Sequence, residues 1–220
     1  MYELCPETPA DTPEVEALYD LCFAPGRTAL SSYRLRDGVP PVSELCLMLR
    51  NEADAVTAAI RYWPVRVGDA LVLLLGPVAV HPIAQGEGLG GYLMRESLHR
   101  AEAMGWARVM LVGDAPYYKR FGFTKLEGVE MPPPTNPDRV LGLELQPGAW
   151  VDVRGAVTRE THPDVLAGLA EIGQTPSLRA SCKPVAFIEG EPRAALRSET
   201  AAERQRTEAA THDRDKTRKA

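Results

Sequence analysis

The chain has 220 residues, 45% of them hydrophobic and 25% charged, with a formal net charge of −5. A chain of this length buries about 70% of its unfolded surface, so one ordinary domain with an appendage is expected, needing no disulfide or metal staple. The acidic balance argues against nucleic acid as a partner, and no apolar run is long enough to cross a bilayer.

No basic segment followed by an apolar one opens the chain, so no secretion signal is expected. The four cysteines, Cys5, Cys22, Cys46 and Cys182, form no C-x-x-C and no zinc spacing with the four histidines, so no metal site is expected. In apolar contexts such as ELCLML each reads as a free, buried thiol, which fits a reducing cytoplasm.

YELCPE (2–7) reads as a first strand. Thr12-Pro13, with Glu14 in the first turn, gives a helix start with Thr12 as N-cap; Val15, Leu18, Tyr19 and Cys22 follow at helical spacing, and Pro25-Gly26 stops the helix. A polar loop or short helix leads to three strand candidates, at 45–50, 55–67 and 70–80. Gly68-Asp69 between the last two is a hairpin signal. The third is almost continuously apolar, as in a strand covered on both faces, but Gly76-Pro77 breaks it and demands a bulge or a lost pairing.

After HPIAQ and a glycine-rich turn comes a helix. Leu93, Met94, Ser97, Leu98, Ala101 and Met104 form its apolar side, and Gly105 suits the C-terminal cap. RVMLVGD (108–114) reads as a buried strand, PYYKRFGF as a short helix ending at Gly122, and RVLGLEL (139–145) as a final strand. Residues 156–190 hold one amphipathic stretch, HPDVLAGLAEIG. From Glu191 to Ala220 there are eight basic and six acidic residues and no Phe, Trp, Tyr, Ile or Val, so this tail is expected to be disordered.

The glycine-rich turn admits two readings. Gly86-Glu87-Gly88-Leu89-Gly90-Gly91 is a G-x-G-x-x-G, the dinucleotide fingerprint, and Asp114 stands 23 residues beyond Gly91, near the place of a ribose-binding acid. Gln85-Gly86-Glu87-Gly88-Leu89-Gly90 is equally a Q-x-x-G-x-G. The five residues His81 to Gln85 between strand and glycines, the Gly-Pro break and the preceding hairpin-like meander count against a nucleotide-binding βαβ unit.

From Leu71 to Phe123 the chain resembles the GNAT superfamily of N-acetyltransferases. The strand LGPVAVHP, the loop Gln85-x-x-Gly88-x-Gly90 opening a helix, the buried strand VMLVGD and the segment YYKRFGF occur in that family's order. RVLGLELQPGAW is similar to the closing strand of one bacterial subgroup. The resemblance covers residues 2–155 and not the last sixty or so, which gives a domain over 1–155, an extension over 156–190 and a charged tail over 191–220.

The resemblance implies a mixed α+β fold with a mostly antiparallel sheet, splayed between its fourth and fifth strands and flanked by helices. It implies acetyl-CoA as co-substrate. The backbone of Val78, Ala79 and Val80 would pair with the pantetheine arm. The loop Gln85, Gly86, Glu87, Gly88, Leu89, Gly90 and Gly91 would wrap the pyrophosphate, with the Glu87 side chain in solvent and its N–H turned inward. It implies acetyl transfer to a small-molecule or protein amine by direct attack, the carbonyl polarised by a backbone N–H such as that of Val80, and Tyr118 as general acid. A homodimer is compatible with it; nucleic acid and membrane partners are not expected.

Tyr117 reads as packing beside the cofactor, and Phe121 and Phe123 as core. His81 is read as a variable strand-end residue, Asp114 as the cap of the next helix, and Lys119 and Arg120 as solvated charge. The acceptor pocket is expected around Phe23, Arg27, Ser31, Tyr33 and the turn MPPPTNPD, with Arg27 holding a carboxylate. Two other classes stay open at this point: a non-catalytic acetyl-CoA sensor, and a dinucleotide-dependent oxidoreductase.

Overall fold

A computed structural model of the chain describes residues 1–23, 25–173 and 182–185. The charged tail from 191 onward lies outside the described residues. The elements are β1 (Tyr2–Pro6), α1 (Thr12–Phe23), α2 (Ser31–Arg34), β2 (Leu47–Asn51), β3 (Val56–Val67), β4 (Ala70–Val80), α3 (Leu89–Ala103), β5 (Arg108–Val112), α4 (Ala115–Tyr118), β6 (Thr124–Lys125), β7 (Val129–Glu130), β8 (Val140–Glu144), β9 (Gly155–Arg159), α5 (Pro163–Gly173) and β10 (Lys183–Val185).

One sheet runs β10-β1-β2-β3-β4-β5-β8-β6. Every neighbour in that path is antiparallel except β4 and β5, which pair parallel through the crossover α3. This is the mixed, mostly antiparallel sheet expected above, and not the doubly wound parallel sheet of a dinucleotide enzyme. The twelve-residue β3 is long enough to serve two partners on one edge: its first half pairs with β2, and Val65 to Val67 pair with β9.

Period-two alternation sorts the strands' side chains onto two faces. Leu47, Leu49, Ala58, Ile60 and Tyr62 pack with Leu93, Met94, Leu98 and Ala101 of α3. Met48, Val56, Ala59 and Ala79 pack with Val15, Leu18 and Tyr19 of α1. Met104, placed on the apolar side of α3 by spacing, lies past the helix end and is 42% exposed. Among the described residues no helix is long and apolar enough to cross a membrane.

Three further differences from the sequence reading have local causes. Helix α1 begins at Thr12 itself, so the cap falls one residue earlier than expected, on Asp11: its carbonyl accepts from Val15 N–H at 3.0 Å, and its carboxylate turns to Thr8 and Arg50. Cys5 and Cys182 are not free thiols but a disulfide, because β10 runs antiparallel to β1 with Leu4 opposite Lys183; only Cys22 and Cys46 remain reduced. The disulfide removes the four-thiol argument for a reducing cytoplasm. The described part of the stretch after residue 155 adds β9 and β10 to the sheet, where the sequence reading marked only one amphipathic segment.

Candidate functional site

The break in β4 shapes the site. Ile60 faces Val78 and Tyr62 faces Leu75, so Gly76 and Pro77 together oppose Arg61: a β-bulge, two residues against one. Gly76 has φ +125°, a conformation that favours glycine. Just before the bulge, β4 and β5 pair at Leu73↔Val109 and Leu74↔Met110 and nowhere beyond. Past Leu74 the two strands therefore part, and the edge of β4 from Leu75 to Val80 faces a gap.

The ladder decides what that edge offers. His81 N–H donates to Thr57 C=O at 2.7 Å, so in the alternating antiparallel pattern Ala79 is the next residue bonded to β3. Val78 and Val80 then turn their N–H and C=O groups away from β3, toward the gap, while Ala79 spends its own on β3. The Val80 carbonyl already accepts from Gln85 Nε2 at 3.2 Å and Cys22 Sγ at 3.4 Å. The Val80 N–H and both Val78 groups are left to whatever occupies the gap.

The glycine turn closes one end. Gly86 and Gly88 have φ of +89° and +79°, and Gly88 caps α3 in the left-handed conformation. The first bond of α3 runs from Tyr92 N–H to Gly88 C=O, which leaves the N–H groups of Leu89, Gly90 and Gly91 at the mouth of the helix, where its dipole favours an anion. A Cβ on Gly90 would sit 3.3 Å from both Val80 Cγ2 and Tyr117 Oη, so a side chain there would crowd the floor of the gap. Gln85 fastens the turn to the strand end through its bond to Val80. Glu87 departs from expectation: its carboxylate accepts from Tyr2 Oη at 2.8 Å, and its N–H reaches back to Ala84 C=O at 3.4 Å. Burial and the Glu87 carboxylate push the Tyr2 phenol up to about 12.

Across the gap, α4 presents Tyr117 and Tyr118, ring centroids 4.9 Å apart and nearly perpendicular. Tyr118 packs edge-on to Phe123 at 6.0 Å and lies so close to β5 that a Cβ on Gly113 would fall 2.2 Å from its Cε2. Burial first, then the neighbouring Tyr117, holds the Tyr118 phenol well above its ordinary range, with Arg139 pulling the other way. Phe123 is core, whereas Phe121 is half-buried and carries the Arg120 guanidinium at 4.8 Å.

Asp114 occupies the cap position by its backbone, its carbonyl accepting from Tyr117 and Tyr118 N–H, but its side chain makes no capping bond. His81 Nδ1 accepts from Ile83 N–H at 3.3 Å, capping the turn after β4. The candidate metal cluster among the described residues, Glu3 with Cys5 and Cys182, offers no thiolate because its sulfurs are bonded to each other.

On the α1 face the expected acceptor segments do meet. Ser31 Oγ lies 2.5 Å from Thr135 Oγ1, and Arg34 donates to the Pro133 carbonyl, so α2 is clasped to the turn MPPPTNPD. Arg27, however, is no free cation. It is 5% exposed and tied to Glu16, to Asp20 at 2.9 Å and to Tyr33 Oη at 2.8 Å. Arg61, beneath the bulge, is likewise held by Glu7 at 2.6 Å and by Glu16. The residue that sequence reasoning missed is Arg36. Its Cζ sits between the Tyr33 ring at 4.1 Å and the Trp63 ring at 4.6 Å. Nothing in YRLRDG distinguishes it from Arg34.

Comparison with known proteins agrees with this geometry. Residues 43–125 match the acetyltransferase (GNAT) domain family. The uncharacterized N-acetyltransferase YhbS of Escherichia coli is 32% identical over 120 residues, covering 53% of this chain and 70% of that protein. The uncharacterized N-acetyltransferase YjhQ of the same organism is 41% identical over 58 residues, which span 26% of this chain and only 32% of YjhQ. Among solved structures, YhbS in complex with CoA superposes with a TM-score of 0.62 at 26% identity, over 73% of this chain and 89% of that one. A GNAT acetyltransferase from Brucella melitensis in complex with acetyl-CoA gives a TM-score of 0.55 at 26% identity, over 73% and 97%.

Proposed function

Because this chain belongs to the GNAT superfamily of acetyl-CoA-dependent N-acetyltransferases, we propose that it moves the acetyl group of acetyl-CoA onto a primary amine by direct attack in the gap between β4 and β5. The observation that carries this reading is the gap itself. It is a strand edge with outward amides at Val78 and Val80, bounded by a glycine turn at a helix N-terminus and by a partly buried tyrosine packed on the core. The CoA and acetyl-CoA bound by the YhbS and Brucella proteins support the choice of co-substrate.

In this reading the Val78 and Val80 backbone holds the pantetheine arm as an added strand. The N–H groups of Leu89, Gly90 and Gly91 receive the pyrophosphate, with Gly86 and Gly88 permitting the turn. The neutral amine attacks the thioester carbonyl, polarised by the Val80 N–H. The C–N bond forms, the C–S bond breaks with its electron pair on sulfur, and Tyr118 gives that sulfur its proton. The nitrogen's surplus proton leaves to water, and water returns a proton to the Tyr118 phenolate. Burial keeps Tyr118 protonated across the physiological range, so the donor is always loaded.

Calorimetric titration with acetyl-CoA, NADH and NADPH tests the co-substrate. Micromolar binding of acetyl-CoA alone is expected. Nicotinamide binding with indifference to acetyl-CoA would overturn the reading. Release of CoA thiol with a panel of amines tests transfer; tight acetyl-CoA binding with no turnover of any amine would make the protein a sensor instead.

A further inference from the structure

We infer that the acceptor amine carries a carboxylate, and that Arg36 is the residue that binds it. This rests on the acetyltransferase reading and specifies the other half of the same site.

The chain supplies its own controls. Arg27, Arg50, Arg61 and Arg66 are all partly or fully buried on or beside the sheet, and each has a carboxylate partner: Asp20 at 2.9 Å, Asp11 at 2.8 Å, Glu7 at 2.6 Å and Glu160 at 2.7 Å. Arg36 has none among the described residues. Its Nε and Nη1 are both shut off from solvent without a hydrogen-bond partner, whereas in Arg108 and Arg139 only Nε is so placed. Burial lowers its pKa, and the like-charged Arg61 adds to that; against them act the Tyr33 phenol, by charge and by a side-chain hydrogen bond, and the Tyr19 phenol, none of which is a carboxylate. An arginine cannot shed its proton to relieve this. Two aromatic faces offset part of the cost of desolvation, and an anion is the partner still missing.

Position supports an acceptor role over a structural one. Arg36 Nη2 lies 3.8 Å from where a Cβ on Gly76 would be, at the bulge where β4 and β5 part. Val80 lies four steps along the strand from Gly76, about 13 Å, and the glycine turn lies beyond that. The CoA phosphates and the Arg36 cation therefore serve different ends of the site. The guanidinium is also held in place. Arg27 donates to Tyr33 Oη, Trp63 Nε1 donates to the Val39 carbonyl at 3.2 Å, and Arg159 donates to the Asp37 carbonyl at 2.7 Å. A planar guanidinium clamped between two rings presents only its edge, which suits the two oxygens of a carboxylate.

The test uses the full chain with acetyl-CoA and matched pairs: the common amino acids, β-alanine and 4-aminobutyrate, each beside its primary amide, with CoA thiol release as readout. At least one acid should exceed its amide in kcat/KM by about 10- to 150-fold, the range for a charged hydrogen-bonding pair. Arg36→Met, which keeps an unbranched side chain between the rings, should bring that ratio to within about 3-fold by removing this pair, and Arg36→Lys, which keeps the charge but loses the fork, should fall between. Acetyl-CoA affinity should stay unchanged in both. Should Arg36→Met fail to fold, the wild-type ratio and the Lys variant still decide. Amides used as well as acids, or an acid preference that survives Arg36→Met, would overturn the proposal while leaving acetyl transfer intact. So would turnover confined to amines without a carboxylate. Turnover of neither panel by a protein that binds acetyl-CoA would overturn it together with transfer. Absence of acetyl-CoA binding would indict the acetyltransferase reading itself.

Discussion

Replacing Gly113 by alanine should disable the proposed general acid without touching it. The new Cβ would lie 2.2 Å from Tyr118 Cε2, 2.8 Å from Tyr118 Cδ2 and 2.8 Å from Leu111 Cδ1. Ordinary van der Waals contact begins at 3.4 Å, so the ring has to retreat by about 1.2 Å or swing about its χ1. Phe123 and Tyr117 stand edge-on behind it at 6.0 and 4.9 Å, so the retreat carries the hydroxyl off its present line. A displacement of about 1 Å in a reacting group costs on the order of 100-fold.

The assay is CoA thiol release under saturating acetyl-CoA. Gly113→Ala should lose about 100-fold in kcat with acetyl-CoA affinity changed less than about 3-fold. Tyr118→Phe should lose about 10²- to 10⁴-fold. The double variant should be no worse than Tyr118→Phe, because both changes act through one hydroxyl. Multiplying losses in the double variant would show that Gly113→Ala acts elsewhere. A Tyr118→Phe enzyme within about 3-fold of wild type would reduce Tyr118 to a packing residue. The pH profile gives a separate check. A phenol pushed above its ordinary pKa stays protonated, so wild-type kcat should rise with amine deprotonation and show no fall with a midpoint near 10.

Gly88→Ala forces a Cβ into φ +79° at the start of α3 and should cost about 1–2 kcal/mol, read as weaker acetyl-CoA binding and a lower Tm. Reducing the Cys5–Cys182 bond should lower stability by about 2–4 kcal/mol, or on the order of 5–10 °C in Tm; an unchanged melt in dithiothreitol would remove the disulfide. Acid should unfold the protein through Asp11 and Glu160. Burial raises both carboxyls, but Thr8 and Arg50 around Asp11, and the His162 N–H, Arg66 and Thr161 N–H around Glu160, outweigh it and leave both lowered. Their contribution is whole above the unfolded values near 4 and is lost as pH falls through the lower folded values, so Tm should drop below about pH 4 and Asp11→Asn should flatten that drop.

What the sequence made legible was local chemistry. The run 70–80 became β4 residue for residue, and the Gly76-Pro77 anomaly inside it became the bulge. The glycine turn and the short helix that carries Tyr118 could be read because each needs only a dozen contiguous residues. Partners far apart in the chain left no local trace. Cys5 and Cys182 are 177 residues apart, and Arg61 meets a glutamate 54 positions away. β9 has a single buried side chain, Val157, so its five residues carry no alternation to mark a strand. Asp114 failed in a different way: the cap position was right, but sequence does not fix a rotamer, and the carboxylate makes no capping bond. Arg27 is singled out in the sequence and Arg36 is not, although nothing local marks one arginine of this region over another. Glu16 and Asp20 are placed within ion-pair distance of the first, whereas among the described residues no carboxylate is so placed beside the second.

That separation explains why the α1 face carries so much charge against an apolar sheet. Glu16 accepts from both Arg27 and Arg61, joining α1 to the loop before α2 and to β3 beneath the bulge. Arg27 in turn donates to Tyr33, whose ring carries Arg36. A chain of neutralised pairs thus ends on Arg36, which has no carboxylate partner among the described residues, at the place where the strands part. Buried pairs of this kind contribute little net stability compared with apolar packing. Their use here is geometric, since they fix Tyr33 and leave Arg36 a single orientation. Breaking the chain at its middle should therefore act at a distance. Arg27→Met removes no group from the acceptor site, yet it frees Tyr33, and it should raise the KM of a carboxylated amine while sparing the affinity for acetyl-CoA. An Arg27→Met enzyme with unaltered KM would show that the Tyr33 ring is held by packing alone, and the ion pairs would then be scaffold for α1 and nothing more.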